Sequence, residues 1–494
     1  MRHTISEVSA MPVPKEILAV KRPSNTRVKQ SGDRFLVIKR TCKRINGKPT
    51  PVELGTIGEI VDGKYVEIRP EPRKKNTYVD IKDYGEFALC HKAAGNLLEE
   101  LMKVFGKEGK RLYTICLLRA QDPDLRDRDL QFAYETSYIS EVIPGMHLSE
   151  NTVSEFLRKT GMEYRYIREY MEKKVESVAG KALIVDGMLK DNNSNTNDFS
   201  EYSRKGAKKG SKDLNLIYAY DPESQEPVAV KPFPGNMLDA TCFIEFVEEF
   251  ELKKGILIAD KGFTGKNPIS MLDDLEGLSY LLPLKHSSRT IRENGMDTGI
   301  VSPLDGYKER TVFYKKKQVG KKWLYAFRDP KTASEQETGY VAMSQKKGSF
   351  SEEKLLSKQN EFGVIVFESK SDLDPLDVYL AYAKRWEIEV MFNLYKNILE
   401  LDKVNVQGDY RVYATEFINY LSVIVGARIR KLLTVSYVNK KNSKEKVSIS
   451  SVYSYKQLLR ILGKVKRVRV GDSDKWVQNQ TLKYTADILK ALGV

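Results

Sequence analysis

The spacing of apolar positions changes several times along the chain, and each change predicts a different kind of element. Residues 1 to about 30 are Pro- and Lys-rich with little periodicity and predict a loose arm. "RFLVIKRTCKRINGKPTPVELGTIGEIVDGKYVEIRP" follows as short β-rich runs broken by the turns "NGKP" and "DGK". From Gly85 to about Lys174 the period becomes helical, in "FALCHKAAGNLLEELMKVFG", "SENTVSEFLRKTG" and "YRYIREYMEKKVESV". The second contains Thr152-x-x-Glu155, the spacing of a capping box.

A third regime begins at Lys181. "KALIVDG", "LNLIYAYD" and "PVAVKPF" predict three consecutive strands, the first ending near Asp186. "DATCFIEFVEEFELKKG" predicts a helix capped by Asp239, after a turn at Gly235 and Asn236. Then come the strand "GILIAD" ending at Asp260, the helix "NPISMLDDLEG" and the strand "LSYLLPLK". Three strands, then helix, strand, helix, strand predict a mixed α/β sheet. Residues 286–372 break this rhythm with "RTVFYKKKQVGKKWLYAF" and "EFGVIVFES", a β-rich insertion. A long helix follows in "PLDVYLAYAKRWEIEVMFNLYKNILEL", then the apolar helix "TEFINYLSVIVGARIRKLL" and the basic helix-like "YKQLLRILGKVKRVRV".

The predicted organisation is therefore an arm and β-rich region (1–84), a helical, DNA-binding region (85–178) and the first part of the core (179–285). The insertion (286–372), the core's closing helix (373–405) and a basic helical C-terminal region (406–494) complete it.

Composition narrows the function. The chain has 494 residues and a net charge of +15, of which +11 falls between Leu401 and Val494, with 18 lysines and arginines against 7 acidic residues. That imbalance points to a polyanion such as DNA or RNA. No run of about 18 apolar residues is present, so no membrane span is expected. The N-terminus lacks the apolar block of a signal peptide, which predicts a cytoplasmic protein. Four scattered cysteines and four histidines lack the spacing of a zinc site, and the adjacent Cys90-His91 pair is not a metal motif.

The candidate chemistry lies in "YAKRWEIEVMFNLYK", residues 382–396. On an ideal helix, at about 100° per residue, Tyr382, Arg385, Glu389 and Lys396 fall within about 60° of arc. Glu387 falls on the opposite side, and Trp386 is expected in the core. Such a stripe needs a polar partner such as a metal ion and phosphate. Asp186 and Asp260 each follow apolar strand residues, where α/β sheets meet ligands. Two strand aspartates and one helix glutamate suit two hard divalent cations, Mg²⁺ or Mn²⁺, that hold few protein ligands and leave room for phosphate and water.

These residues resemble a known family. Tyr382-x2-Arg385-x3-Glu389-x6-Lys396 fits the YREK signature of cut-and-paste insertion-sequence transposases, DDE enzymes with an RNase H-like core. "VDGMLKDNN" resembles their first-aspartate strand, with Met188 where threonine or serine often stands. "ADKGF" resembles the second-aspartate motif, and "PFPGNMLDATCF" the Pro-Gly-Asn-x-x-Asp stretch between the two. The resemblance spans roughly residues 180–405.

The resemblance implies that Asp186, Asp260 and Glu389 bind two Mg²⁺ ions (Mn²⁺ in their place) and carry the catalysis. Tyr382, Arg385 and Lys396 would contact phosphates at the element's ends. The implied reaction is hydrolytic cleavage of the terminal inverted repeats, then attack of the freed 3′-OH on target DNA, within a homodimer. "FINYLSVIVGARI" is either the dimer contact or an internal core helix. Trp323, the insertion's tryptophan, either holds a flipped base or packs within a β-hairpin. Arg204, Lys205, Lys208 and Lys209, in a Gly-punctuated basic loop, are candidates for DNA-backbone contact or for a solvated loop. Two rival readings share the core: a DNA nuclease without strand transfer, and a repurposed DNA-binding protein.

Overall fold

The β-rich runs of the first 68 positions, such as "TRVKQS" and "RFLVIKR", form an antiparallel sheet in the computed structural model. The structure describes residues 13–45, 48–68, 78–192, 194–203, 211–263, 265–404, 406–439, 445–471 and 474–494. The basic-loop candidates Arg204, Lys205, Lys208 and Lys209 lie outside them. The chain divides into two units, residues 1–80 with 470–474 and residues 81–469 with 475–494.

In the first unit, β1 (Thr26–Ser31), β2 (Arg34–Ile45), β3 (Lys48–Val61) and β4 (Lys64–Glu67) pair in sequence order. Their small core is Val28, Val37 and Ile60, with Ile17 and Phe35 packed against it. The expected loose arm is thus structured from at least the helix Lys15–Leu18 onward.

The second unit follows β5 (Val79–Asp83) with a block of helices whose longest members are Glu108–Gln121, Glu150–Met162 and Tyr164–Ser177. Thr152 does not cap: the helix starts at Glu150 behind Ser149, whose hydroxyl lies 2.8 Å from that of Thr152.

Among the described residues, ten strands make the large sheet. β6 (Ala182–Asp191), β8 (Lys212–Asp221) and β9 (Glu226–Pro234) form an antiparallel meander, with the short β7 (Glu201–Tyr202) on the far edge of β8. On the other side of β6, β10 (Gly255–Ala259) and then β11 (Leu278–Pro283) add in parallel. Three antiparallel strands followed by two parallel ones on the opposite side is the RNase H-like topology. β8 is almost wholly buried and β11 wholly so, which accounts for their predominantly apolar sequences. At the turn into the helix Asp239–Glu249, a Cβ on Gly235 would stand 2.3 Å from the Asp213 carbonyl oxygen, so only glycine fits. Leu238, not Asp239, holds the cap position; Asp239 opens the helix and its carboxylate favours the positive end of the dipole.

The insertion does not form a separate sheet. β12 (Ser302–Pro303), β13 (Phe313–Val319), β14 (Lys322–Arg328) and β15 (Val364–Ser369) extend the core sheet, with β15 antiparallel to β11. The insertion also holds the helices Pro330–Lys346 and Glu352–Lys358, which have almost no buried face and therefore no apolar period to betray them. Asp329 caps the first through the Lys331 and Thr332 amides, with Pro330 at its first position.

The helix Asp409–Val435 runs through the core, packing on β9 and on the helices Gly85–Ala94, Glu108–Gln121 and Glu150–Met162. Phe417, Ile418, Tyr420, Leu421, Val423, Ile424 and Val425 are all buried, so this segment is an internal core helix rather than a dimer contact. Beyond it, only Tyr455–Leu462 of the basic helix-like segment is helical; Lys466–Val470 is a strand, as its alternating valines permit.

Candidate active site

β6 carries Asp186 in mid-strand, paired to Tyr218 of β8. The parallel pairing of β10 with β6 ends at Ala259 opposite Val185, so the next residue on each strand is an aspartate, Asp260 beside Asp186. A single 3₁₀ turn, Lys261–Phe263, ends β10 there, and the Phe263 amide donates to the Asp260 carbonyl. Two carboxylates on adjacent strands are thus set side by side by sheet register.

The third carboxylate comes from the long helix, which is not continuous. Pro375–Ala383 ends in a turn at Lys384 and Arg385, a second helix runs from Trp386 to Asn393, and Leu394–Ile398 is a π-helical turn. Lys384 and Arg385 keep helical dihedrals, so the ideal 100° ruler holds across the turn and changes only at the π turn. Tyr382, Arg385 and Glu389 stay together, whereas Lys396 moves out of their cluster. Its charge acts on Asp213 of β8, the partner of Asp191, about 17 Å along β6 from Asp186.

One guanidinium gathers the three acids. Arg385 NH1 lies 3.3 Å from Asp186 Oδ2, 3.9 Å from Asp260 Oδ1 and 4.0 Å from Glu389 Oε1. Its carbon stands 5.5 Å from the Tyr382 ring centroid, and that ring packs on Phe367. Asp186 Oδ1 also accepts from the Gly187 amide at 2.8 Å. Burial pushes the Asp186 carboxyl up to about 6, with Asp260 and Glu389 adding repulsion against the pull of Arg385 and the Gly187 amide. Asp260 and Glu389 are over 40% exposed and open to solvent. Three acids facing one cation leave the cluster short of positive charge, which fits hard divalent cations. Among the described residues no group of three His, Cys, Asp or Glu side chains is already spaced to hold a metal; here the guanidinium sets the spacing.

Glu387 does face away from Arg385. Its Oε2 is buried without a hydrogen-bond partner, and burial raises its pKa. Trp386, expected in the core, is 68% exposed; it lies three residues before the solvent-open Glu389, on the same face of the helix. Trp323 sits half-buried in the β13–β14 hairpin opposite Gln318, with Lys316 Nζ 4.7 Å from its ring. That lysine is itself tied to Asp372 and the Leu373 carbonyl. Three of the other hairpin lysines are similarly committed: Lys315 to the Gly295 and Thr298 carbonyls, Lys317 to the Asn294 carbonyl, and Lys322 to Asp273 and Glu368.

Behind the site lies a polar network that no motif announced. Lys190, four residues beyond Asp186, donates to Tyr395 Oη at 2.8 Å and Glu416 Oε1 at 2.7 Å. Tyr395 donates to Glu416 Oε2 at 2.7 Å, and Asn419 joins Glu416 to Arg119. The π turn aims Tyr395 inward while its neighbour Lys396 remains half-exposed. The one signal in the sequence was Glu416, a lone acid inside an apolar helix, which must be paired.

Residues 180–418 match the family model of the transposase DDE domain. A search of curated proteins finds no match. Among solved structures, the chain is similar to the piggyBac transposase in a cryo-EM synaptic complex with hairpin DNA. The identity is 13% and the TM-score 0.39, over 76% of this chain and 79% of that one. No helix among the described residues is long and apolar enough to cross a membrane.

Proposed function

We propose that this chain, whose residues 180–418 match the family model of the transposase DDE domain, binds the terminal inverted repeats of an insertion sequence, cleaves them and joins their 3′-OH ends to target DNA. The observation that carries this reading is the convergence of Asp186, Asp260 and Glu389 on Arg385 within 4.0 Å. Two strands and one helix, separated by up to about 200 residues, supply a single acidic cluster with one counter-ion.

Asp186, Asp260 and Glu389 would hold two Mg²⁺ ions, or Mn²⁺. Bound there, such ions activate the attacking oxygen and stabilise the charge on the leaving one. The protein's own part is positional. The sheet fixes the two aspartates against each other, and Tyr382 and Phe367 support the arginine from one side. Without DNA, Arg385 neutralises the acids; with DNA and cations present, its planar fork turns to a phosphate at the element end. Lys396, with no carboxylate bound to it among the described residues, serves a phosphate farther along the duplex. In the first step a P–O bond breaks as water adds, leaving a 3′-OH. In the second, that 3′-OH attacks a target phosphodiester and displaces a target 3′ oxygen. Two element ends require two such sites, hence a homodimer.

The test is Mg²⁺-dependent cleavage of duplexes carrying the element's ends, followed by strand transfer with a pre-cut end. Wild type performs both, and Asp260→Asn and Glu389→Gln perform neither. Cleavage without transfer would leave a nuclease on the same core; cleavage that survives both substitutions would refute the site.

A further inference from the structure

The β2–β3 hairpin outruns its sheet. β1 pairs with β2 only as far as Thr26 opposite Lys39, and β4 pairs with β3 only from Gly58 onward. The Arg40 amide still bonds the Asn25 carbonyl beside β1, at 2.8 Å; beyond it, Thr41–Ile45 and Lys48–Val52 pair with each other as a two-stranded ribbon about 17 Å long. Two register shifts, between Val37 and Ile38 and between Lys39 and Arg40, lie where the ribbon leaves the sheet and sharpen its twist.

This ribbon is basic on both faces. Register places Arg40, Cys42 and Arg44 on one side and Thr41 and Lys43, with Thr50 and Lys48 from β3, on the other. Lys43, Arg44 and Lys48 are exposed. The acid at its base, Glu53, is taken up by Arg27 of β1 at 3.3 Å. None of Arg40, Lys43, Arg44 and Lys48 has an ion-pair partner among the described residues. A free two-stranded ribbon is marginal in water, and uncompensated charge on both faces marks a surface awaiting a polyanion.

The outer edge of β3 argues against another protein strand as the occupant. Pro49 and Pro51, two residues apart, remove two successive N–H donors from the same edge. The major groove of B-DNA, about 12 Å wide, admits a two-stranded ribbon and offers phosphates on both walls. The narrow major groove of RNA does not. We propose that the β2–β3 ribbon enters the major groove of duplex DNA, with Arg40, Lys43, Arg44 and Lys48 on the phosphate walls. This deepens the transposase reading, since it assigns a DNA-docking element outside the DDE domain.

The probe is a labelled 30-bp DNA duplex of mixed sequence, titrated with the full chain in EDTA across a salt series. For the triple variant Lys43→Gln, Arg44→Gln, Lys48→Gln, the slope of log K against log[salt] should shrink by about 2 to 3. The charge-preserving variant Lys43→Arg, Arg44→Lys, Lys48→Arg should keep it, and both should melt like wild type. An unchanged slope in the Gln variant overturns the proposal. So does equal competition by double-stranded RNA, or a ribbon-dependent self-association without DNA. Failure of the transposase reading would look different: the ribbon-dependent slope would persist while Mg²⁺-dependent cleavage of element ends was absent.

Discussion

Lys190 Nζ lies 2.7 Å from Glu416 Oε1, and neither side chain is more than 1% exposed. The pair ties the strand of Asp186 to the core helix, and Tyr395 completes the triangle from the turn that follows Glu389. Burial pulls the Lys190 pKa down, and Glu416 opposes that pull. Lys190→Met should destabilise the fold by about 3–5 kcal/mol, because Glu416 is then buried without its counter-charge. Lys190→Met with Glu416→Leu should recover most of the loss. Denaturant melts of the two single variants and the double one give the coupling directly; additive losses would show that the pair is not coupled.

The two glutamates of the site helix should part company in function. Glu389→Gln should reduce cleavage of element ends on the order of 10³-fold or more. Glu387→Gln should keep activity within about threefold, since its carboxylate points away from Arg385 and lacks a partner at Oε2. Parallel time courses at saturating Mg²⁺ make the comparison, and equal losses would contradict the assignment.

Arg385 should compete with divalent cations. In wild type the guanidinium already neutralises Asp186, Asp260 and Glu389. Arg385→Ala should therefore gain more thermal stability from added Mg²⁺ than wild type does, while losing cleavage activity. Melting curves with and without Mg²⁺ test this, and an equal gain in both proteins would place the cations elsewhere.

A pH effect is expected at Glu86, whose pKa burial raises from 4.5 to about 7, with Asp83 adding repulsion. An acid with a raised folded-state pKa stabilises fully below 4.5 and loses that contribution as pH rises to about 7. Glu86→Gln should thus melt like wild type near pH 4 and be more stable by about 1–3 kcal/mol at pH 8. Melts at the two pH values suffice, and an equal difference at both would exclude the titration.

What the sequence determined by itself was local. Buried-strand runs set Asp186 and Asp260 at their places on the sheet, because unbroken apolar stretches bounded by turn residues admit little else. The grouping of Tyr382, Arg385 and Glu389 was also legible, since seven residues span only two turns and small departures from ideal geometry do not accumulate. Tertiary structure decided the rest. Lys396 shares the stripe's azimuth but not the cluster, because seven residues of helix carry it about 10 Å beyond Glu389 along the axis, and the π turn at Leu394–Ile398 alters its direction further. Trp386 proved exposed because nothing among the described residues packs over the helix face it shares with Glu389, and which face a neighbour covers is not written in the local pattern. The insertion joined the core sheet through β15, a pairing between residues about 85 apart whose partners no local pattern specifies. Lys190 and Glu416 found each other across 226 residues, and only packing can bring two such charges together where neither meets water.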